Sequence, residues 1–542
     1  MTHDAAELVI ASNRLPCTFE RQGGAWKIRP GSGGLVTAMS PVLRDRGGVW
    51  IGWHGAITDD QQGLERLLAS EGKRDGYELM PVSLTDEDKR AFYHGFANEI
   101  IWPLFHCLDE RCNFDPHYWE SYQRVNRKFA GVIRKVLEKR TSHVWVHDYH
   151  LMMVGGDLRQ LGIDNPISFF LHTPFPPIDI FQKLPWRFEV LRGLLEYDLI
   201  GFQTPRDRTN FVRCVRTLLP DCQVGGRGQV QTVTTPTGKV RIGAFPISID
   251  YADFERGAKS PAVSRGVQRL RQEYGQRKVL FGVDRLDYTK GIPYRLKAFR
   301  CLLRRFPDLR RNVTLVQVVV PSRKEIPAYQ SLREEIDELV GEINGEYTEM
   351  GWVPIHYIFR SLKRDELLAY YRAADAALVT PLIDGMNLVA KEYCACNVDR
   401  QGVLILSEFA GAAAELQKGA LLVNPYDVEA VAESIRQALT MSKEERRERM
   451  NRLRQTIRRR DVFHWVETFL QASTPQSRDD LPPTDDYVPS EHGDQSFALE
   501  AEPMQELDRQ VSPQVLIQDA EDGASASGAE ADSTLPTGVG SP

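Results

Sequence analysis

Two successive series of short apolar runs, each followed by stretches with helical spacing, predict an α/β protein with two doubly wound parallel-sheet domains. A third observation marks off the C-terminus. From Ser473 onward the chain carries 15 acidic against 2 basic residues and few aromatics, a balance of −13. Such a segment buries too little apolar area to offset its ordering entropy, so 473–542 reads as a disordered acidic tail.

The first series places strands at Glu7–Ala11, His143–His147, Ile167–Leu171, Leu199–Gln203 and Arg241–Phe245. Gly31-Ser32-Gly33-Gly34-Leu35 precedes a predicted helix from Val36 to Leu43. Its glycines suit either a close backbone approach to a phosphate or sugar, or an ordinary surface turn. Thr85 before Asp86-Glu87-Asp88 reads as an N-cap with acids in the first helical turn. Tyr93 and Trp102 lie in an aromatic segment fit for core packing or for stacking on a sugar. A linker, Pro246-Ile247-Ser248-Ile249-Asp250-Tyr251, and a polar stretch then separate the two series. The predicted boundary falls near residue 250, giving domains 1–250 and 251–472, with the last helix free to pack back on the first domain. The second series runs Val279–Val283, Val313–Val320, Ala376–Thr380, Val403–Ser407 and Leu421–Asn424.

Composition narrows the function classes. With 42% hydrophobic and 26% charged residues the chain is of the soluble globular kind. No run approaches the roughly 18 apolar residues of a membrane helix. The N-terminus, Met1-Thr2-His3-Asp4, is not that of a signal peptide, so a cytoplasmic location is expected. Eight scattered cysteines form no CxxC pair and read as reduced thiols; Cys394-Ala395-Cys396 reads as two thiols on a helix. Neither a metal site nor a cofactor is predicted. The net charge is −6, which leaves the body before the tail at about +7. That suits anionic small substrates and argues against nucleic acid.

In open parallel sheets, ligands sit beyond the carboxyl ends of the strands. The polar residues there are Asn13-Arg14, Asp148, His172, Asp284-Arg285, Arg323 and Asp384. Arg285 and Lys290 share one short loop, either to neutralise a diphosphate or to pair with Asp284 and Asp287. Asp148, after His147 and before Tyr149-His150, either holds sugar hydroxyls or caps the helix from Leu151 to Leu161. Ala376 to Tyr393 reads as strand, tight turn and helix N-terminus, an arrangement that binds anions, with Asp384 in the turn and Glu392 about two helical turns on.

Seven motifs stand in one order: Ser12-Asn13-Arg14; Ser32-Gly33-Gly34-Leu35; His147-Asp148-Tyr149-His150-Leu151; His172-Thr173-Pro174-Phe175-Pro176; Gly201-Phe202-Gln203-Thr204; Asp284-Arg285-Leu286-Asp287-Tyr288-Thr289-Lys290-Gly291; and Asp384-Gly385-Met386-Asn387-Leu388-Val389-Ala390-Lys391-Glu392. Together they resemble the trehalose-6-phosphate synthases, retaining glucosyltransferases, over about Leu8 to Leu470. The resemblance implies a GT-B architecture, two Rossmann-like domains with the active site in the cleft between them. It implies glucose-6-phosphate as acceptor, its phosphate gripped by Arg14, Tyr93 and Arg323 and its sugar touched by Trp102 and Asp148. It implies an NDP-glucose donor, UDP-glucose in most of the family. Arg285, Lys290 and the backbone of Asn387, Leu388 and Val389 would bind the diphosphate, Glu392 the ribose, and Gly34 would approach the diphosphate through its N–H. Asp384 and His172 would fix the transferred glucose, beside Gly385 and Met386. The catalytic group is thus His172, Arg285, Lys290 and Asp384.

The chemistry agrees with that assignment. Glycosyl transfer from a nucleotide builds negative charge on the departing diphosphate, and preorganised positive charge is the largest catalytic term available. Arg285, Lys290 and a helix N-terminus supply it, so a metal-independent reaction is expected. Residues 19–29 form a longer segment than in short bacterial members and read as a mobile loop near the acceptor. The tail is too short and polar for a phosphatase domain, so a separate trehalose-6-phosphate phosphatase is expected downstream, and a homo-oligomer stays open. Two rivals remain: glucosylglycerol-phosphate synthase, which takes glycerol-3-phosphate, and a non-catalytic sugar-phosphate sensor. Arg14 in its Ser-Asn-Arg motif disfavours the first; the presence of Arg285, Lys290, Asp384 and Glu392 disfavours the second.

Overall fold

Seventeen strands among the described residues form two large sheets and one hairpin. The computed structural model describes residues 7–22, 25–31, 34–56, 61–138, 140, 142–226, 228–323, 326–473, 484–487 and 489. Ser32 and Gly33 of the predicted glycine loop and Lys324 lie outside them, as do most positions of the predicted tail.

The strands in chain order are β1 Glu7–Arg14, β2 Cys17–Gln22, β3 Ala25–Pro30, β4 Val49–Trp53, β5 Glu78–Val82, β6 Ser142–His147, β7 Ile167–Phe170, β8 Leu199–Phe202, β9 Gln223–Gly225, β10 Val230–Thr234 and β11 Lys239–Ala244. There follow β12 Lys278–Arg285, β13 Val313–Val320, β14 Ile355–Ile358, β15 Ala376–Val379, β16 Val403–Ser407 and β17 Leu421–Val423. The first sheet has the order β5-β4-β1-β6-β7-β8-β11-β10-β9, and the second β14-β13-β12-β15-β16-β17. The second is parallel throughout. Its strand β13, Val-Thr-Leu-Val-Gln-Val-Val-Val, is buried but for its last residue, as a strand covered on both faces must be.

The first sheet departs from the all-parallel expectation at one edge, where β9, β10 and β11 pair antiparallel. The short polar turn Thr235–Gly238, closed by Thr235 N–H donating to the Gly238 carbonyl at 2.8 Å, permits that reversal. The segment expected to be a mobile loop is instead the β2–β3 hairpin, in register from Cys17↔Pro30 to Gln22↔Ala25. Phe19 anchors it, 4% exposed, edge-on to His54.

Chain crossings bring the two sheets together within one compact unit. After β11 the linker reaches Asp250, which caps the helix Tyr251–Ala258. The helix Val462–Ser473 returns to the first sheet: Trp465 Nε1 donates to the Phe245 carbonyl at 3.0 Å, and Phe469 stacks on Trp145 at 4.3 Å. Burying two such aromatics contributes on the order of 3–6 kcal/mol by area. Beyond it, the segment assigned from composition to the tail makes specific contacts at Thr484–Tyr487. Thr484 Oγ1 donates to the Ala244 carbonyl, Asp485 pairs with Arg460, and Tyr487 Oη donates to Glu408 at 3.0 Å. Composition gives no sign of this, because these contacts are polar and need no apolar burial.

Candidate active site

The strand ends of both sheets face each other, and their loops touch. A Cβ added to Gly34, at the N-terminus of the helix Gly34–Arg46, would stand 2.9 Å from Leu388 Cδ1, at the N-terminus of the helix Leu388–Cys396. A Cβ on Gly385 would stand 2.5 Å from the His172 carbonyl oxygen. Two helix N-termini therefore meet with their first N–H groups free of intrahelical partners, and both carry the positive end of a dipole.

The turn before the second helix is held rigidly. Asn387 sits at φ 66°, and its side chain accepts from Ala390 N–H. Asp384 accepts from Met386 N–H at 3.2 Å, from Asn387 Nδ2 at 3.1 Å and from Lys290 Nζ at 2.6 Å. Burial would raise the Asp384 carboxyl, but the Lys290 ammonium outweighs it and keeps the group ionised. Beneath, Asp384 N–H donates to the Phe409 carbonyl at 3.2 Å, and Gly411 N–H to the Asp384 carbonyl at 2.8 Å. Glu392, on the same helix, accepts from Tyr371 Oη at 2.9 Å, and burial raises its carboxyl.

Opposite lies a cluster of aromatics and arginines. Arg14, at the end of β1, lays its guanidinium over Trp53 at 4.2 Å and Tyr93 at 5.3 Å. Tyr93 stands on a π-wound helix, Lys89–Ile101, that continues directly into Trp102–Phe105. Thr85 and Asp88 form a capping box ahead of it, in line with the N-cap reading. Arg323 reaches over from the second sheet: it lies 4.3 Å above Trp102, donates to Tyr149 Oη at 3.4 Å and to Tyr329 Oη, and pairs with Asp287 at 3.5 Å. Arg285 is exposed, 5.9 Å from the Trp102 ring, with no ion pair among the described residues. Burial alone would raise the Tyr93 phenol, but Arg323, Arg14 and Arg285 together hold it below its usual value. Three guanidinium groups thus converge on one phenol. Trp102 Nε1 and both ring nitrogens of His150, in the same cluster, are buried without a partner among the described residues.

Asp148 is pushed up to about 6 by burial, against the pull of the Tyr149 and His172 N–H groups and of Arg285 and Arg323. It adopts φ 75°, Arg323 φ 44° and Asn387 φ 66°, so three of the six described non-glycine residues with positive φ line this cleft. Strained backbone of this kind costs about 1–3 kcal/mol per residue and persists where the surroundings impose it.

The resemblance has His172 fix the transferred glucose, and both its ring nitrogens have partners within the protein: Gln203 Nε2 donates to Nδ1 at 3.2 Å, and Nε2 faces His147 Nδ1 at 3.1 Å. Burial drives its pKa down to about 3, so the ring is neutral. The part of His172 that meets the turn at Gly385 is its main-chain carbonyl. Sequence reasoning also passes over the frame around the site. Arg295, 1% exposed, ties Asp284 at 2.5 Å, Gln317 at 3.2 Å, Thr380 at 3.0 Å and the Lys290 carbonyl at 3.4 Å, and so staples the end of β12 to the interior of β13 and to the residue after β15. Its place on an amphipathic helix, four residues after Gly291, carries no signal. Asp287, held ionised by Arg323, Lys290 and Arg285 against burial, reads in the sequence only as a surface pairing partner. Among the described residues no group of three or more His, Cys, Asp and Glu could hold a metal ion, and no helix is long and apolar enough to cross a membrane.

Residues 6–474 match the model of glycosyltransferase family 20. A trehalose-6-phosphate synthase of Mycobacterium avium (strain 104) is 45% identical over 475 residues, 86% of this chain and 95% of its own. Among solved structures, a UDP-forming α,α-trehalose-phosphate synthase from Burkholderia xenovorans in complex with glucose-6-phosphate aligns with a TM-score of 0.78 at 33% identity, over 86% of this chain and 99% of its own. An E. coli structure bound with UDP-2-fluoro glucose aligns with a TM-score of 0.78 at 35% identity, over 87% of this chain and 100% of its own.

Proposed function

This chain belongs to glycosyltransferase family 20, and from that premise we propose that it moves glucose from UDP-glucose to glucose-6-phosphate with retention at C1, releasing trehalose-6-phosphate and UDP. The observation that carries the reading is the convergence of Arg14, Arg285 and Arg323 on Tyr93 and Trp102, opposite two facing helix N-termini. One side suits a sugar phosphate and the other a diphosphate.

Arg14, Arg323 and Tyr93 grip the acceptor phosphate, while Trp102 packs on its ring and Asp148 accepts hydrogen bonds from its hydroxyls. Arg285, Lys290 and the N–H groups of Leu388 and Val389 neutralise the diphosphate, Gly34 N–H approaches it, and Glu392 accepts from the ribose. Asp384, beside Gly385 and Met386, holds the hydroxyls of the glucose being transferred. The bond from C1 to the diphosphate oxygen breaks with its electron pair leaving on UDP. The acceptor hydroxyl forms the new bond from the same face, and its proton passes to the departing phosphate oxygen. Positive charge fixed around that oxygen lowers the barrier. His172 orients this centre through its main chain.

The product keeps the acceptor phosphate, so a trehalose-6-phosphate phosphatase acts downstream, and both reactions run in the cytoplasm. A non-catalytic sensor of the sugar phosphate would not need the donor half, yet Arg285, Lys290, Asp384 and Glu392 are all present. A matrix of UDP-, ADP- and GDP-glucose against glucose-6-phosphate and glycerol-3-phosphate, read by product mass, tests the proposal. Trehalose-6-phosphate should appear with UDP-glucose and glucose-6-phosphate. Glucosylglycerol phosphate as the main product, or no product at all, would overturn it.

A further inference from the structure

Between the two sheets, one linker residue is gripped from both sides. Ile247 donates its N–H to Gln203 Oε1 at 2.9 Å, and its carbonyl accepts from Lys391 Nζ at 2.8 Å. Gln203 follows β8 of the first sheet; Lys391 lies on the helix Leu388–Cys396 of the second. Both are 2% exposed. Lys391 also pairs with Glu415, itself 7% exposed. That pair already balances the buried charge, so the bond from Lys391 to Ile247 is not needed for neutrality. What it secures is the position of the linker.

The grip continues to the reacting centre. Because the Ile247 N–H fixes which end of the Gln203 amide is oxygen, Nε2 must point to His172 Nδ1, 3.2 Å away. His172 is therefore the Nε2–H tautomer, with that proton directed at His147. The His172 carbonyl in turn lies against Gly385, three residues before Leu388, where the helix bearing Lys391 begins. The path is a closed ring: donor loop, helix, Lys391, Ile247, Gln203, His172 and back to the donor loop.

We propose that Gln203 and Lys391 are positioning residues that clamp Ile247 between the domains and so set the placement of the donor half-site against the acceptor half-site. The inference rests on the glucosyl-transfer reading above. It makes a specific demand: breaking the ring at either end releases the same constraint. Each substrate is held by groups the break leaves in place, so the loss falls on the transfer step.

The experiment uses the full-length enzyme with Gln203→Leu, with Lys391→Met combined with Glu415→Leu so that no carboxylate is left buried alone, and with all three changes. Tm is measured for each variant, and kcat and both KM values are taken well below the melting transition. A small misplacement of reacting groups costs about 10²-fold, so kcat should fall by about that factor in each variant. KM for UDP-glucose and for glucose-6-phosphate should stay within about 3-fold, as expected when binding groups are intact. The triple variant should be no worse than about 3-fold below the weaker of the other two, because coupled sites are not additive. Wild-type kcat in folded variants, or losses that multiply, would overturn the clamp. Should the lysine–glutamate variant fail to fold, Gln203→Leu, which removes no charge, decides on its kcat alone. Wild-type enzyme without turnover would instead overturn the glucosyl-transfer reading, so the two failures are distinguishable.

Discussion

Arg14 and Lys290, in opposite halves of the cleft, are held in opposite ways. On the acceptor side Arg14 rests on the faces of Trp53 and Tyr93, with no carboxylate partner among the described residues. On the donor side Lys290 is bound to Asp384 at 2.6 Å, both side chains nearly buried. Aromatic faces hold a guanidinium in place by about 0.5–1 kcal/mol at exposed sites, weakly enough to leave its N–H groups for a phosphate. A buried ion pair must be exchanged, partner for partner, before its cation can serve a ligand. Arg14 is thus displayed and Lys290 withheld, while each half also holds a cation of the other kind: Arg323 pairs with Asp287, and Arg285 stands exposed.

The sharpest attack is Arg285→Ala, which removes an exposed cation with no ion pair among the described residues. Turnover should fall by about 10²–10³-fold, as when a transition-state charge stabiliser is lost; steady-state UDP release near the wild-type rate would break the assignment. Next is Arg14→Ala. Losing one charge-assisted bond of about 1.5–3 kcal/mol should raise KM for glucose-6-phosphate by about 10–100-fold, with KM for UDP-glucose within about 2-fold. Equal rises in both would erase the division between the halves.

The smallest effect concerns pH. Asp148 is held near 6, protonated below and ionised above, so its contribution is present at neutral pH and is lost as pH falls through that value. The acceptor phosphate takes up its own proton near pH ~6. The acid limb of kcat/KM for glucose-6-phosphate should therefore be steeper in the wild type than in Asp148→Asn, which keeps only the phosphate's titration. Identical limbs would remove Asp148 from the acceptor site.

Much of this architecture is legible in the amino-acid sequence. Buried central strands such as Val313–Val320 and Val403–Ser407 announce themselves as uninterrupted apolar runs, because a parallel sheet covered on both faces admits little else. The strands Val49–Trp53, Glu78–Val82 and Ile355–Ile358 carry no such mark. They are four or five residues long, and Val49–Trp53 follows a pair of glycines that reads as a turn. Arg14, Tyr93, Trp102 and Arg323, which the resemblance assigns to the acceptor, lie in one aromatic cage. What one sequence cannot display is a partner chosen by the fold. Arg295 looks like any helix arginine until three strands are laid around it, and Gln203 looks like a strand-end amide until Ile247 and His172 claim its two ends. Thr484–Tyr487 is acidic and polar like the rest of its segment, and only the carbonyl of Ala244 and the carboxylate of Glu408 distinguish it.

The pairing of Lys290 with Asp384 also works as a logical gate. A bare anion drifting into the cleft could take Lys290 only by stranding Asp384, a carboxylate accepting from two neighbouring donors but shut away from water. A neutral sugar could satisfy Asp384 only by stranding the ammonium. A molecule that brings a diphosphate and a ring of hydroxyls at the right separation supplies both replacements at once. On the proposed reading the cleft answers to a conjunction of two chemical signals, and a compound that carries either one alone satisfies only half of it.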